Sequence, residues 1–367
     1  MKPKAAIRGL AVYEPGKPLE EVKRELGLDE VIKLASNENP FGCSPKVKDS
    51  LASEFSFLPL YPEGTAPELR KALSERLNAD PEGIILGNGS DEIIQMIARA
   101  YLEDGDEAVM ADKTFPRYKT QVLIEGAKPV EVPLRDGVHD LPGMLGRVTP
   151  RTKILWICNP NNPTGTIVDN DSLIALLEEL PDHVLVVLDE AYAEYVTDPA
   201  YPDSIRLLEK YPGLIILRTF SKIYGLASLR VGYALTQPDI ARELERVREP
   251  FNVNRFAQRA ALAALEDDSF VRDCREQNRR GIEQICRRLD EWNLFYYPAH
   301  GNFIMLDTGR PADEAFQFLL HRGVIVRSGK SLGFPTFIRV TVGTEEQNRR
   351  FLEALGEFVE QGEADRP

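Results

Sequence analysis

From about residue 80 to about residue 245 the chain repeats one pattern: a short apolar run rich in β-branched residues, a turn, then a helical stretch. GIILGNGSDEIIQMIARAYL, EAVMADKTFPRYKTQVLIEG, ILWICNPNNPTG, HVLVVLDEAYAEY and LIILRTFSKIYG all begin this way. Such alternation predicts a mainly parallel sheet, because a helix must carry the chain back between parallel neighbours and so covers a sheet face. In each repeat the residues able to do chemistry stand just after the strand, where the crevice of such a sheet opens.

The last repeat is the most informative. A buried strand, LIILRTF, delivers Ser221 and Lys222, and Arg230 follows eight positions after the lysine. An ammonium crowded by apolar walls and positive charge gives up its proton more easily. The free amine attacks carbonyls, which makes Lys222 a candidate Schiff-base lysine. The planar fork of Arg230 suits a phosphate, and Thr219 and Ser221 add hydroxyl donors. An amine for an aldehyde beside donors for a phosphate matches pyridoxal 5'-phosphate. Asp189 closes the apolar strand HVLVVLD, so its carboxylate enters a low-dielectric cleft and needs a cation. A pyridinium nitrogen is one such cation. Tyr192, three residues on, can reach the same ligand. Asn162 is held extended by Pro163, which aims its amide rigidly. GNGSDE opens a helix whose first N–H groups face an anion, although Asp91 and Glu92 oppose one. Phe115 and Tyr118 follow a strand, and either offers a face to a flat ring.

Other classes fall away. GNGS lacks the GxGxxG spacing of a dinucleotide site, and no GxxxxGK[ST] loop accompanies LDEAY. A net charge of −13 argues against nucleic acid and anionic membrane surfaces as partners. No apolar run reaches spanning length and the first residues lack a secretory pattern, so a cytoplasmic protein is expected. Cys43, Cys158, Cys274 and Cys286 form no CxxC pair, and the four histidines are scattered. Neither a disulfide framework nor a metal site is expected.

The chain divides into an N-terminal arm over 1–45 that joins the smaller domain, a large α/β domain over 46–248, and a small α+β domain over 249–367. A hinge is expected near Pro250. Arg327 and Arg339 lie in strand-like runs near the end, and an arginine pointing inward from such a strand needs an anion. For Arg327 alone a surface salt bridge is the plainer account.

SNENPFG, YPEG, GNGSDE, NPNNPTG, LDEAY, SK with Arg230, and FIRVTVG stand in this order over nearly the whole chain. Together they resemble fold-type I pyridoxal-phosphate-dependent aminotransferases. YEPGKPLEEVKRELG, KLASNENPFG and IRVTVGT are most similar to the histidinol-phosphate group of that family. The resemblance implies a large domain built on a mainly parallel, seven-stranded-type sheet. It implies that Lys222 holds the cofactor and shuttles a proton, that Asp189 keeps the pyridine nitrogen protonated, and that Asn162 and Tyr192 bond the ring oxygen. It puts Tyr118 against the ring, and Ser90, Asp91, Thr219, Ser221 and Arg230 around the phosphate. Tyr61 resembles a tyrosine that reaches the phosphate from a partner subunit, which implies a homodimer. Arg339 resembles the substrate-anion arginine with Arg327 its companion; Tyr13 and Asn302 are further substrate-side candidates, as is Asn162. The implied reaction exchanges an amino group between L-histidinol phosphate and 2-oxoglutarate, giving imidazole-acetol phosphate and L-glutamate, in histidine biosynthesis. An aromatic amino-acid aminotransferase shares these parts, and a pyridoxal-phosphate-dependent phospho-amino-acid decarboxylase is a more distant alternative.

Overall fold

The computed structural model describes residues 5–10 and 19–364. The predicted alternation folds into strands β1 (Ile32–Lys33), β2 (Ile84–Gly87), β3 (Glu107–Ala111), β4 (Lys128–Val132), β5 (Thr152–Cys158), β6 (Leu185–Asp189), β7 (Leu214–Thr219) and β8 (Gly232–Leu235). All but β1 form one seven-stranded sheet in the order β2-β8-β7-β6-β5-β3-β4. Its central strands pair in parallel, whereas β8 runs antiparallel to β7 and β2. The reversal has a local cause. The loop 220–231 that joins β7 to β8 forms a single 3-10 turn, Ala227–Leu229, and no helix of the kind that carries a chain between parallel neighbours. That loop carries Lys222.

The strands are buried on both faces, and the alternation of side chains sorts them. Leu155, Ile157, Leu188, Leu214 and Ile216 enter one apolar cluster, while Ile154, Trp156, Val187, Ile215 and Leu217 enter another on the opposite face. The helices Ser90–Tyr101 and Pro238–Val247 cover the second face with Ile93, Ile97 and Leu244. The helix Arg255–Leu265 covers part of the first, where Ala257, Ala260 and Ala261 pack in the same cluster as Val47 and Leu69. Residues just past the expected hinge thus still belong to the core of the large sheet.

Beyond them a second sheet forms from β9 (Phe303–Asp307), β11 (Arg327–Ser328) and β12 (Phe337–Thr341), antiparallel in the order β11-β12-β9. The helices Asp268–Glu291 and Glu345–Ala364 close over it through Ile285, Leu289, Phe351 and Leu355. Strand β10 (Val324–Ile325) pairs in parallel with β1, and Ile32 and Leu34 share this core. The segment after β1 therefore leaves the C-terminal region and crosses toward the ends of β6 and β7. Among the described residues no helix is long and apolar enough to cross a membrane.

Candidate active site

Asp189 is the last residue of β6 and is almost fully buried. Its Oδ2 accepts the Tyr118 hydroxyl at 2.7 Å and its Oδ1 accepts the Ala191 N–H at 3.1 Å. Burial nevertheless pushes the carboxyl up to about 6, and the charges of Asp91 and Glu190 push the same way. Glu190, next in the chain, faces elsewhere and takes the Arg218 guanidinium at 2.8 Å, so the two adjacent acids have separate tasks. Lys222 is half-buried in the loop after β7. Its Nζ lies 5.4 Å from the centre of the Tyr192 ring and 3.5 Å from the Ser36 carbonyl oxygen. Burial, and next the positive charge of Arg339, bring the amine down to about 8. About a tenth of such an amine is unprotonated at pH 7, far more than of an ordinary lysine.

A cradle for an anion closes one end. The helix Ser90–Tyr101 begins after Gly89, whose φ of 79° leaves no side chain to cap the first turn. A Cβ at Gly89 would stand 2.4 Å from Arg230 Nη2, so only glycine lets the guanidinium come this close. Arg230 Nη1 donates to Ser221 Oγ at 3.3 Å, and Nη2 lies 3.5 Å from Asp91. Thr219 uses its hydroxyl to accept the Ser221 N–H at 3.1 Å, which shapes the turn beneath the cradle.

Across the site, Asn162 and Tyr192 meet. Asn162 Nδ2 donates to the Tyr192 hydroxyl at 3.2 Å, while its Oδ1 accepts Arg339 Nη1 at 2.5 Å. Arg339 is nearly buried on β12 and also donates to the Ala35 carbonyl at 2.8 Å. Arg327 on β11 is its direct register partner, so the two guanidinium stems leave the same sheet face. The Asn162 loop is held from behind. His139 Nε2 and the Thr114 hydroxyl both point at Asn161 Oδ1, at 3.1 and 2.8 Å. A carboxamide oxygen only accepts, so Nε2 carries the proton, and burial brings the imidazole down to about 4.

Lys222, Tyr192, Asn162 and Arg339 are joined by these contacts, Ser221 and Arg230 meet beside Gly89 and the start of the Ser90 helix, and Asp189 ends the strand next to β7, while several other expected residues have different places. Tyr118 is wholly buried and stacks on Trp156 at 4.9 Å with its hydroxyl on Asp189. A ring with no exposed surface has no face to give a ligand, so Tyr118 supports the acid from behind. Phe115, edge-on to Tyr118 at 5.6 Å and only partly buried, is the aromatic of that loop with surface to offer. Asn302 is buried and its Nδ2 donates to the carbonyls of Asn37 and Glu38 at 3.1 and 3.4 Å, which makes it a clamp on backbone. Tyr61 is 78% exposed and stacked on Phe251. Tyr13 lies outside the described residues. Tertiary packing also brings in Trp156 and, from within the SNENPFG and FIRVTVG motifs, Asn37 and Thr341, to which the sequence reading gave no role.

The donor set fits pyridoxal phosphate at each end. The carboxyl of Asp189 is held up by burial and, to a lesser degree, by the charges of Asp91 and Glu190, a state that a protonated ring nitrogen relieves. The Gly89 notch, Arg230 and the uncapped helix start suit a phosphate. A model of the family "Aminotransferase class I and II" matches residues 29–355. The chain is 54% identical to a histidinol-phosphate aminotransferase of Brevibacillus brevis over 98% of this chain and 99% of that protein. It is 52% identical to the protein of the same name in Bacillus subtilis, over 98% and 100%. The crystal structure of histidinol-phosphate aminotransferase from Sinorhizobium meliloti, in complex with pyridoxal-5'-phosphate, is similar at a TM-score of 0.89 and 28% identity, covering 98% of this chain and 97% of that one.

Proposed function

Because this chain belongs to the class I and II aminotransferases, we propose that it exchanges an amino group between L-histidinol phosphate and 2-oxoglutarate, with pyridoxal 5'-phosphate as cofactor. The observation that carries the reading is the pairing across one crevice of an amine lowered to about 8 with a buried carboxyl raised to about 6. Bound there, the cofactor supplies an aldehyde that takes an amine and an electron-poor ring that accepts the charge left when a proton departs from carbon. Lys222 would hold the aldehyde, Asp189 the ring nitrogen, Asn162 and Tyr192 the ring oxygen, and Ser90, Ser221 and Arg230 the phosphate. Asp91 holds Arg230 in place.

The protein's own part is positioning and proton movement. Lys222 in its neutral form would take the proton from the reacting carbon of the substrate and deliver it to the carbon that was the cofactor's aldehyde. Asp189, ionised at neutral pH, favours a protonated nitrogen in a dry cleft. Arg339 and Arg327 serve the substrate's anionic end. Histidinol phosphate brings a phosphate and glutamate a carboxylate, and a guanidinium fork pairs with either.

The active unit is a homodimer, with Tyr61 reaching the phosphate of the partner's site. Phe55, Leu58 and Leu60 are each more than 60% exposed beside Tyr61, an apolar surface that a second copy of the chain would cover. The arm 1–45 joins the small domain, a link supported by the β1–β10 pairing, and 46–248 carries the cofactor; of the 249–367 expected for the small domain, the helix Arg255–Leu265 packs with the large sheet instead. A cytoplasmic location is part of the same reading, and all four cysteines are unbridged. The test is a transaminase panel with 2-oxoglutarate as acceptor, run beside borohydride trapping and peptide mapping. A kcat/KM for histidinol phosphate well above that for phenylalanine or tyrosine, with the label on Lys222, is expected. A label elsewhere, or equal rates on the aromatic amino acids, would overturn it.

A further inference from the structure

Asn37 sits in the segment that crosses from β1 to the ends of β6 and β7. It is 1% exposed and holds a φ of 55°. Its four polar groups are all engaged. The N–H donates to Thr341 Oγ1 at 2.9 Å, and the carbonyl accepts Asn302 Nδ2 at 3.1 Å. The side-chain Oδ1 accepts the Thr341 hydroxyl at 3.0 Å, and Nδ2 donates to the Tyr192 hydroxyl at 3.0 Å.

The direction of this chain of bonds follows from the two contacts with Thr341. Its Oγ1 accepts the Asn37 N–H and its hydroxyl donates to Asn37 Oδ1. The Asn37 amide is thereby oriented, and its NH₂ must face Tyr192. The Asn162 amide is oriented in the same way by Arg339, which can only donate to Oδ1. Both amides therefore present N–H groups to one phenol oxygen. A hydroxyl has two lone pairs and one proton. With both lone pairs filled, Tyr192 has a single remaining capacity: to donate.

We propose that Asn37 is a positioning residue that, through the Thr341 relay, makes Tyr192 an obligate hydrogen-bond donor toward the cofactor. This rests on the reading above, in which Tyr192 bonds the ring oxygen. The relay also ties the phenol to β12, two residues along from Arg339. When a substrate anion draws the Arg339 fork to itself, Asn162 loses the partner that orients its amide. The Asn37 arm does not depend on Arg339, so it holds the phenol's direction throughout turnover.

A donor on the ring oxygen draws off negative charge and lowers the pH at which the neighbouring Lys222 nitrogen gives up its proton. The pH midpoint of the visible absorption of bound pyridoxal phosphate reports this directly. Three variants separate orientation from packing. Asn37→Gly keeps the left-handed backbone and removes the amide. Asn37→Asp is isosteric and puts an acceptor where the NH₂ stood, so the phenol turns its proton away from the ring. Thr341→Val removes the relay hydroxyl and frees the amide to flip. The midpoint of Asn37→Asp is expected to rise by about one pH unit, the equivalent of one hydrogen bond, and to approach that of Tyr192→Phe. Asn37→Gly and Thr341→Val are expected between these and wild type, while their apoprotein melting temperatures fall with the lost buried bonds and so report packing separately. A wild-type protein that stays colourless with pyridoxal phosphate sinks both readings. A coloured wild type whose midpoint is shared by Asn37→Asp and Asn37→Gly, while Tyr192→Phe is shifted, sinks this one alone, as does an unshifted Tyr192→Phe.

Discussion

At the scale of single residues, the site is a set of groups held away from their ordinary ionisation. Tyr118→Phe removes the donor at Asp189 Oδ2 and raises that carboxyl further above about 6. The pH below which pyridoxal phosphate dissociates should therefore move up, and stability should fall by about 1–3 kcal/mol; binding titrations from pH 5 to 8 check it. Lys222 is depressed from 10.5 to about 8, so the unfolded chain binds more protons than the folded one between those values. Below pH 8 the folded apoprotein carries the full penalty, and it fades as pH rises toward 10.5. Lys222→Met should abolish transamination yet raise the apoprotein melting temperature at pH 7, with a gain that shrinks above pH 8. His139 falls from 6.5 to about 4, so it withdraws stability as pH drops through that window. Asp189 rises from 3.8 to about 6 and acts in the opposite sense over an overlapping range. The two oppose each other in the apoprotein. His139→Gln, which keeps an N–H for Asn161, should leave Asp189 acting alone. Its urea midpoint, measured relative to wild type, should then rise as pH falls from 6.5 to 5. Lys222, Asp189 and Asn162 are legible in the sequence because Asp189 ends a strand and the other two stand within four residues of one, and a strand's end is a fixed address. Tyr118 is not: whether it or Phe115 faces the crevice depends on where the helix Arg117–Ile124 begins and on Trp156 across the sheet.

At the scale of elements, the loop after β7 matters most. It turns the chain back antiparallel, presents Lys222, and passes under the segment from Asn39 to Cys43. Asn39 Nδ2 donates to the Ile223 carbonyl at 2.7 Å. Gly225, at a φ of 70°, would place a Cβ 1.9 Å from the Gly42 carbonyl oxygen. Backbone lies on both sides, so neither can move aside as a flexible side chain can. Gly225→Ala should cost about 1–3 kcal/mol through strain and overpacking, and should lower kcat more than the loss of folded protein explains. Parallel melting and single-turnover measurements distinguish the two effects. The strand and helix pattern of this region follows from periodicity alone. The reversal at β8 does not, because it depends on one loop forming no crossover helix.

At the scale of the whole molecule, the segment after β1 binds the C-terminal region to the large sheet. Ser36, Asn37 and Asn39 meet Lys222, Tyr192 and Ile223 on one side, while Ala35 and Asn37 meet Arg339 and Thr341 on the other. Phe55, Leu58, Leu60 and Tyr61 form a second feature of this scale, a run of exposed apolar side chains. On the homodimer proposed above, Leu58→Asp with Leu60→Asp should convert dimer to monomer in sedimentation, with weaker pyridoxal phosphate binding. Tyr61→Ala should leave the dimer intact and weaken cofactor binding about 10-fold, the equivalent of one hydrogen bond to a charged group.

The alternation of apolar runs and helices, read with residues at strand ends, determined by itself a mainly parallel sheet and the amine, acid and amide of its crevice. Both signals are local, because periodicity and turn chemistry act over a few residues. The tertiary structure alone decided that Tyr118 backs Asp189, that Asn302 clamps backbone, and that Asn37 and Thr341 orient Tyr192. Those bonds join residues far apart in the chain, and a hydrogen bond's direction is set by the partner it finds rather than by its neighbours in sequence.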